Sequence, residues 1–339
     1  MRSALILSVL TPLALAATHE GGVHRRAAGS KRASGYTLTK SFQGESFFDG
    51  FDFDTHQSNG GLAQYVDSAT AWAEDLVDVK NGKAHIRVSP KNSGGQIKSV
   101  KLTTKEQYSE GLYIWDVERM PQVCGAWPAI WSTGDDWPNR GEFDLIEYVS
   151  HQSMNSMSVH TGAGCWAGST GYSGNPMMGD DPKALNCGAE ETSSQGCGFR
   201  TAENNTAGIG ANFERDGVYV LEWSSAGIKS WFFPRADIPS DITSQNPDPS
   251  SWGKPVMFID AGSCEPSTYF GPQTWVLNTQ ICGTWPSGVV WSTDNAYAGD
   301  SGSCQADTGY ATCEDYALAE TQDFKHAYWR VGYFRVFNK

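Results

Sequence analysis

Apolar positions in this chain come in short runs that alternate with polar ones. Val218-Tyr219-Val220-Leu221-Glu222-Trp223, a Ser-Ser-Ala-Gly turn and Ile228-Lys229-Ser230-Trp231-Phe232-Phe233 predict a β-hairpin. Similar runs predict strands at Lys83–Val88, Gly111–Val117, Ser156–His160, Pro255–Ile259 and Tyr328–Phe337. No long window carries a helical period, and 37 glycines punctuate the runs. Many short strands with Gly-rich turns predict an all-β sandwich or jelly roll. Two long stretches, 161–215 and 286–325, hold most of the cysteines and read as loops that form the rim of a cleft. No internal repeat or low-complexity linker divides the chain, and all-β units of this size occur as one domain. Residues 33–339 are therefore expected to form a single domain.

The N-terminus follows a different pattern. Arg2 precedes a short apolar run from Ala4 that ends in Ala14-Leu15-Ala16-Ala17. It is too short to span a membrane and fits a secretory signal peptide over residues 1–17. Residues 18–32 lack an apolar pattern and contain Arg25-Arg26 and Lys31-Arg32, as a propeptide trimmed at a dibasic site would. No later segment is long and apolar enough to cross a membrane, and the C-terminus lacks the tail of a lipid-anchor signal. The expected product is secreted, extracellular and soluble, acting as a monomer.

Charge narrows the partners. The chain has 25 basic and 38 acidic residues, a net charge of -13, and loss of residues 1–32 would move it to -17. Such a chain repels phosphate backbones and anionic membrane surfaces, so neither nucleic acid nor membrane is an expected partner. All eight cysteines lie beyond the leader, an even count that predicts disulfides. Eight cysteines allow 105 pairings, and only Cys304–Cys313 is predicted, because the two are close in sequence. The spacing offers no CxxC-type metal site, and no cofactor or catalytic metal is expected. Asn204-Asn205-Thr206 makes Asn204 a candidate glycosylation site.

The chemistry concentrates in Gly141-Glu142-Phe143-Asp144-Leu145-Ile146-Glu147. Alternate residues of a strand share a face, so Glu142 and Asp144 point one way and Phe143 and Leu145 the other. Strict alternation would bury Glu147. The doublet Leu145-Ile146 breaks the alternation, and one extra residue there, a β-bulge, returns Glu147 to the face of Glu142. The two glutamates would then stand about 13 Å apart along the strand, a gap that long side chains can largely close. A carboxylate separation of about 5–5.5 Å suits a retaining glycosidase. Glu142 would attack the anomeric carbon, Glu147 would protonate the leaving oxygen and then activate water, and Asp144 would favour a protonated Glu147. The bland alternative is three solvated acids on an exposed strand. The apolar-backed face and the aromatic run upstream weigh against it.

That aromatic run contains Trp127, Trp131 and Trp137. Indole is a broad amphipathic surface on which the C–H face of a sugar can lie. Trp127 is assigned to the core, since tryptophan is highly buried on average. Trp131 and Trp137 are equally suited to core or cleft. His160, on the next predicted strand, is placed to hydrogen-bond Glu147 or a substrate.

Together these residues resemble glycoside hydrolase family 16, and within it the fungal laminarinase-like endo-1,3(4)-β-glucanases. The resemblance rests on Glu-x-Asp-x-x-Glu after Trp-Pro-Ala-x-Trp, on the downstream His-Thr-Gly, and on Cys282-Gly283-Thr284-Trp285. It extends from about Tyr36 to the last strand and includes Tyr65-Val66-Asp67, Met120-Pro121-Gln122 and Trp231-Phe232-Phe233-Pro234-Arg235. It implies a concanavalin A-like β-jelly-roll sandwich with an open substrate cleft on its concave face. It also implies retaining, endo-acting hydrolysis of β-1,3 and mixed β-1,3/1,4-glucan polysaccharides such as laminarin and lichenan. By position, Glu142 is the implied nucleophile, Asp144 the assisting acid and Glu147 the acid/base. Trp131, Trp137, His160 and Trp285 fall where the family lines its sugar subsites. Lys101 stands where similar sequences often carry arginine, and it lacks the planar fork for paired hydroxyl contacts.

Three other readings compete. A β-glucan-binding lectin shares the fold and the aromatics but needs neither glutamate. A cell-wall transglycosylase would use the same glycosyl-enzyme, intercepted by a sugar hydroxyl; the extra motif residue at Leu145-Ile146 favours the hydrolase. Gly299-Asp300-Ser301-Gly302-Ser303 is similar to the nucleophile segment of trypsin-like proteases. No histidine stands in the matching context, so the segment reads as a flexible loop.

Overall fold

The predicted alternation is realised as two large antiparallel sheets. The computed structural model describes residues 35–57, 59–208, 211–212, 216–300 and 302–339. The signal-peptide and propeptide expectation for residues 1–32, and Ser301 of the protease-like segment, lie outside the described residues. Edge to edge, the first sheet runs Asn175–Pro176, Cys197–Arg200, Ser156–His160, Glu142–Glu147, Ala126–Thr133, Thr274–Ile281, Lys101–Thr104 and Phe51–Phe53. It carries the acids and is called the site sheet below. The back sheet runs Met257–Asp260, Gly227–Pro234, Gly217–Ser224, Gly111–Arg119, Tyr328–Asn338, Lys83–Arg87 and Val77–Lys80, with Thr37–Gln43 paired to Tyr328–Asn338. A small third sheet joins Ala63–Tyr65, Gln96–Ser99 and Asn92–Ser93.

The main core lies between the two large sheets. Phe143, Leu145, Ile130, Leu277, Trp275, Val159 and Phe199 of the site sheet meet Trp115, Tyr219, Leu221, Trp329 and Phe334 of the back sheet. Trp115 and Phe334 stack with ring centroids 4.2 Å apart. The other face of the back sheet is covered as well: Leu112, Ile114, Val218, Val220 and Trp231 pack under Tyr36, Ile242 and Trp252. This double burial explains why the predicted hairpin reads as nearly continuous apolar runs rather than as clean alternation. The fold is the expected jelly-roll sandwich, and neither sheet closes on itself.

Residues 286–300 and 302–325 are more ordered than expected. Short helices at Val289–Ser292, Cys304–Thr308 and Cys313–Ala319 pack a second cluster around Trp291, Tyr316 and Phe324. Ser303 and Thr312 cap two of them by accepting the amides of Ala306 and Asp315. The disulfide expectation is corrected here. Cys304 bonds Cys124, and Cys313 bonds Cys282; the other pairs are Cys165–Cys264 and Cys187–Cys197. Cys304 and Cys313 each open a separate helix, and each turns inward to its own partner beside the site sheet. Sequence proximity reports only loop length and carries no information on that direction. Gly125 makes room for this arrangement: a Cβ there would lie 2.7 Å from Sγ of Cys313, and its φ of +80° suits glycine. Among the described residues, no helix is long and apolar enough to cross a membrane.

Candidate active site

The acidic strand acquires its geometry from one extra residue. Ala129 pairs with Glu147, Ile130 with Ile146, and Trp131 with Asp144, so Leu145 has no partner on the neighbouring strand. On the other side Asp144 faces Ser158 and Glu147 faces Ser156, with the same irregularity between them. This is the bulge predicted from Leu145-Ile146. It leaves Phe143, Leu145 and Ile146 buried and brings Glu142, Asp144 and Glu147 to one face. The strand is preceded by Gly141, whose φ is +73°; a Cβ there would overlap the Phe270 ring at 2.1 Å. Phe270 stacks on Phe143 and anchors the strand from beneath.

Asn155 satisfies the backbone groups that the bulge frees. Its Oδ1 accepts the Glu147 amide at 3.0 Å, and its Nδ2 donates to the Leu145 carbonyl at 2.9 Å. Asn155 is itself buried, and its own amide donates to Oγ1 of Thr206.

The three carboxyls form one electrostatic unit. Burial raises the Glu142 carboxyl above the ordinary glutamic acid range; the charge of Asp144 adds to this, while His160 and a hydrogen bond from the Trp137 indole oppose it. Burial likewise raises Asp144, against hydrogen bonds with Ser158 and Glu142. Burial and then the Asp144 charge raise Glu147, against the Trp127 indole and His160. Groups so close and so dry cannot all ionise together, so they titrate as a set. One oxygen of Glu142, one of Asp144 and a ring nitrogen of His160 lie within 4.8 Å of one another. Nε2 of His160 is 3.1 Å from Oδ2 of Asp144, so the histidine adjoins the middle acid rather than bonding Glu147.

Tryptophans line this face. Trp127 corrects the core assignment: it is half-buried, and its indole donates to Oε1 of Glu147 at 2.8 Å. The average burial of tryptophan misled the sequence reading, although Trp127 shares its strand face with Trp131, four residues on. Trp285 meets Trp127 edge-to-face at 5.9 Å, which brings it beside the Glu147 end. Trp131 lies in register with Asp144, and its indole donates to Oδ1 of Asn278 at 2.8 Å. Trp137 is 47% exposed and adjoins Glu142 at the other end.

Lys101 belongs to the same sheet face, in register with Asn278, but its ammonium is held by Asp54 at 2.7 Å. It also lies 5.6 Å from the Tyr65 ring centroid, and the Tyr65 hydroxyl accepts from Nδ2 of Asn278. Lys101 thus stands behind the Trp131 support rather than presenting a free cation. Sequence reasoning gave no site role to Asn155, Asn278 or Tyr65: Asn155 acts from just before the neighbouring strand, and Asn278 and Tyr65 act across strands remote in sequence. Asn204 is exposed in a surface loop.

The chain is similar to known proteins over most of its length. A model of the XgeA-like catalytic GH16 domain matches residues 46–337. The endo-1,3(4)-beta-glucanase of Arthroderma benhamiae is 34% identical over 312 residues, covering 90% of this chain and 65% of that protein. A probable endo-1,3(4)-beta-glucanase of Neosartorya fischeri is 35% identical, over 91% of this chain and 46% of its own length. The chain therefore spans about half to two thirds of these relatives. Among solved structures, laminarinase 16A from Phanerochaete chrysosporium, with β-glucans in donor and acceptor sites, superposes with a TM-score of 0.79. It is 30% identical, with 89% of this chain and 99% of that one covered. An elongating GH family 16 beta-1,3-glucosyltransferase superposes with a TM-score of 0.78 at 32% identity, over 89% of this chain and 100% of that one. The bulged Glu-x-Asp-x-x-Glu strand, the sandwich that carries it and the family match over nearly the whole described chain agree: this protein belongs to glycoside hydrolase family 16.

Proposed function

We propose that the protein is a secreted, endo-acting, retaining glycoside hydrolase that cleaves β-1,3 and mixed β-1,3/1,4-glucans such as laminarin and lichenan. The observation that carries this reading is the bulge at Leu145, which sets Glu142 and Glu147 on one tryptophan-lined face. Ionised Glu142 attacks the anomeric carbon, and protonated Glu147 delivers its proton to the leaving oxygen. Glu147, now ionised, takes a proton from water, which attacks the glycosyl-enzyme and releases Glu142. Asp144 plays two parts in turn: protonated, it donates to the ionised Glu142, and ionised, its charge favours a protonated Glu147. Trp131, Trp137, Trp285 and His160 offer sugar-binding surface, with Lys101 one step behind. Four disulfides support an oxidising, extracellular destination, and Asn204 is a fitting glycosylation site. The protein would act as a monomer on a neutral polymer, with no catalytic metal.

A second reading, a β-1,3-glucan transglycosylase, is favoured by the likeness to the elongating glucosyltransferase. One set of assays separates the readings. Wild type is expected to release reducing sugar from laminarin and lichenan, and Glu142→Gln to lose that activity while its circular dichroism spectrum is kept. Products longer than the donor would establish the transferase. A wild type that binds glucan without cutting it would make the protein a lectin.

A further inference from the structure

The site sheet continues past His160 to a feature that the reaction does not use. Ser156 pairs with Glu147 on one side and with Arg200 on the other, so Arg200 stands on the same face as the acid/base residue, two strands away. Its strand neighbours Cys197 and Phe199 face the core, which fixes this orientation. Two strand spacings amount to about 10 Å. Arg200 is 92% buried, its Nε has no hydrogen-bond partner, and among the described residues no carboxylate pairs with it. Its guanidinium lies 4.7 Å from the ring centroid of Tyr297.

Tyr297 is 55% exposed, yet its segment is tied down. Its hydroxyl donates to Oδ1 of Asn295, the amides of Ser153 and Met154 both donate to the Ala298 carbonyl, and the Ser153 hydroxyl donates to the Gly299 carbonyl. An anchored aromatic ring with one side on a buried cation and the other open to solvent is a surface ready for a ligand. Neutral sugars present apolar C–H faces that stack on such a ring. The guanidinium beneath holds the ring from its inner side by a cation–π contact.

We propose that Tyr297 and Arg200 form a further sugar subsite. It takes a glucosyl unit of the β-glucan chain on the side of the acidic strand opposite Trp131. The inference rests on the glucanase reading. On that reading the chain crosses the strands, and a polymer reaches this ring while a short oligosaccharide reaches it less.

The test compares wild type, Tyr297→Ala, Tyr297→Leu, Tyr297→Phe and Arg200→Lys on laminarin and on laminarioligosaccharides of decreasing length. Circular dichroism provides the folding control. Tyr297→Leu keeps an apolar cover on Arg200, so it decides the matter if the alanine variant is poorly folded. The expected result is a rise of about three- to tenfold in KM for laminarin with Ala and Leu, shrinking as the substrate shortens, while Phe retains the wild-type KM. Arg200→Lys, which keeps the charge but loses the planar surface that stacks under the Tyr297 ring, shifts KM in the same direction. A KM unchanged by Tyr297→Leu at every length in an active enzyme overturns the subsite and leaves the glucanase reading intact. A folded wild type that neither cleaves nor binds laminarin overturns both.

Discussion

Asn155 grips the backbone of Glu147: its side chain accepts the Glu147 amide and, through its other end, donates to the Leu145 carbonyl one bulge residue away. The bulge that brings Glu147 to the site would otherwise leave two buried backbone groups unsatisfied. Asn155→Ala is expected to destabilise the fold by about 1–3 kcal/mol. On the acid/base role proposed for Glu147, it should also lower kcat by about ten- to a hundredfold well below the melting temperature, because small misplacements of such a group are costly. Melting curves and initial rates at one temperature measure both. Full kcat in a destabilised Asn155→Ala would mean that the bulge holds its shape without the clasp.

Burial should make Glu147 a source of pH-dependent instability. Its carboxyl is held above the ordinary glutamic acid range of about 4.3. The folded chain therefore keeps a proton that the unfolded chain releases, and this group's contribution to stability falls as pH rises through that interval. Glu147→Gln removes the effect. It is expected to melt higher than wild type near neutral pH, by roughly 2–4 °C for each kcal/mol relieved, and to lose that advantage below the ordinary glutamic acid range. Calorimetry across pH checks the sign, and a lower melting temperature at neutral pH would contradict it.

The Trp127 indole favours the ionised form of Glu147, opposing burial and the Asp144 charge. Trp127→Phe keeps a ring for Trp285 to meet and loses the donor. With Glu147 as the proposed general acid, the basic limb of the pH–kcat profile should move to higher pH, because Glu147 then holds its proton longer. A limb that stays in place or moves to lower pH would show that this bond does not tune the general acid.

The pairing of Cys282 with Cys313 depends on the missing side chain at Gly125. Gly125→Ala is expected to cost about 1–3 kcal/mol, from both its positive φ and the contact with Cys313 Sγ. Thermal melts measure the cost. Peptide mapping without reduction should recover Cys124 with Cys304 and Cys282 with Cys313; a peptide joining Cys304 to Cys313 would refute the arrangement.

Much of this architecture was legible because its signals are local. The hairpin at 217–234 announces itself by strand-turn-strand spacing, and the bulge by two adjacent apolar residues where alternation demands one. Trp127 departs from the core expectation because its strand parity with Trp131, which turns it to the site, outweighs the average burial of tryptophan. The rest depends on contacts that no local pattern carries. Asn278 supports Trp131 from 147 residues away, and Cys124 finds Cys304 across 180. Nothing in the local sequence singles out Arg200; only the sheet order sets it in line with Glu147.

The overlapping bridges Cys124–Cys304 and Cys282–Cys313 have a bearing on survival after proteolysis. One spans the chain from 124 to 304 and the other from 282 to 313, so a single backbone cut anywhere between Cys124 and Cys313 leaves both fragments covalently joined. The segments 161–196 and 286–303 fall within that interval. A nicked molecule would run as one band without reductant and as two with it, while the acidic strand and the helices opened by Cys304 and Cys313 stay tethered to each other.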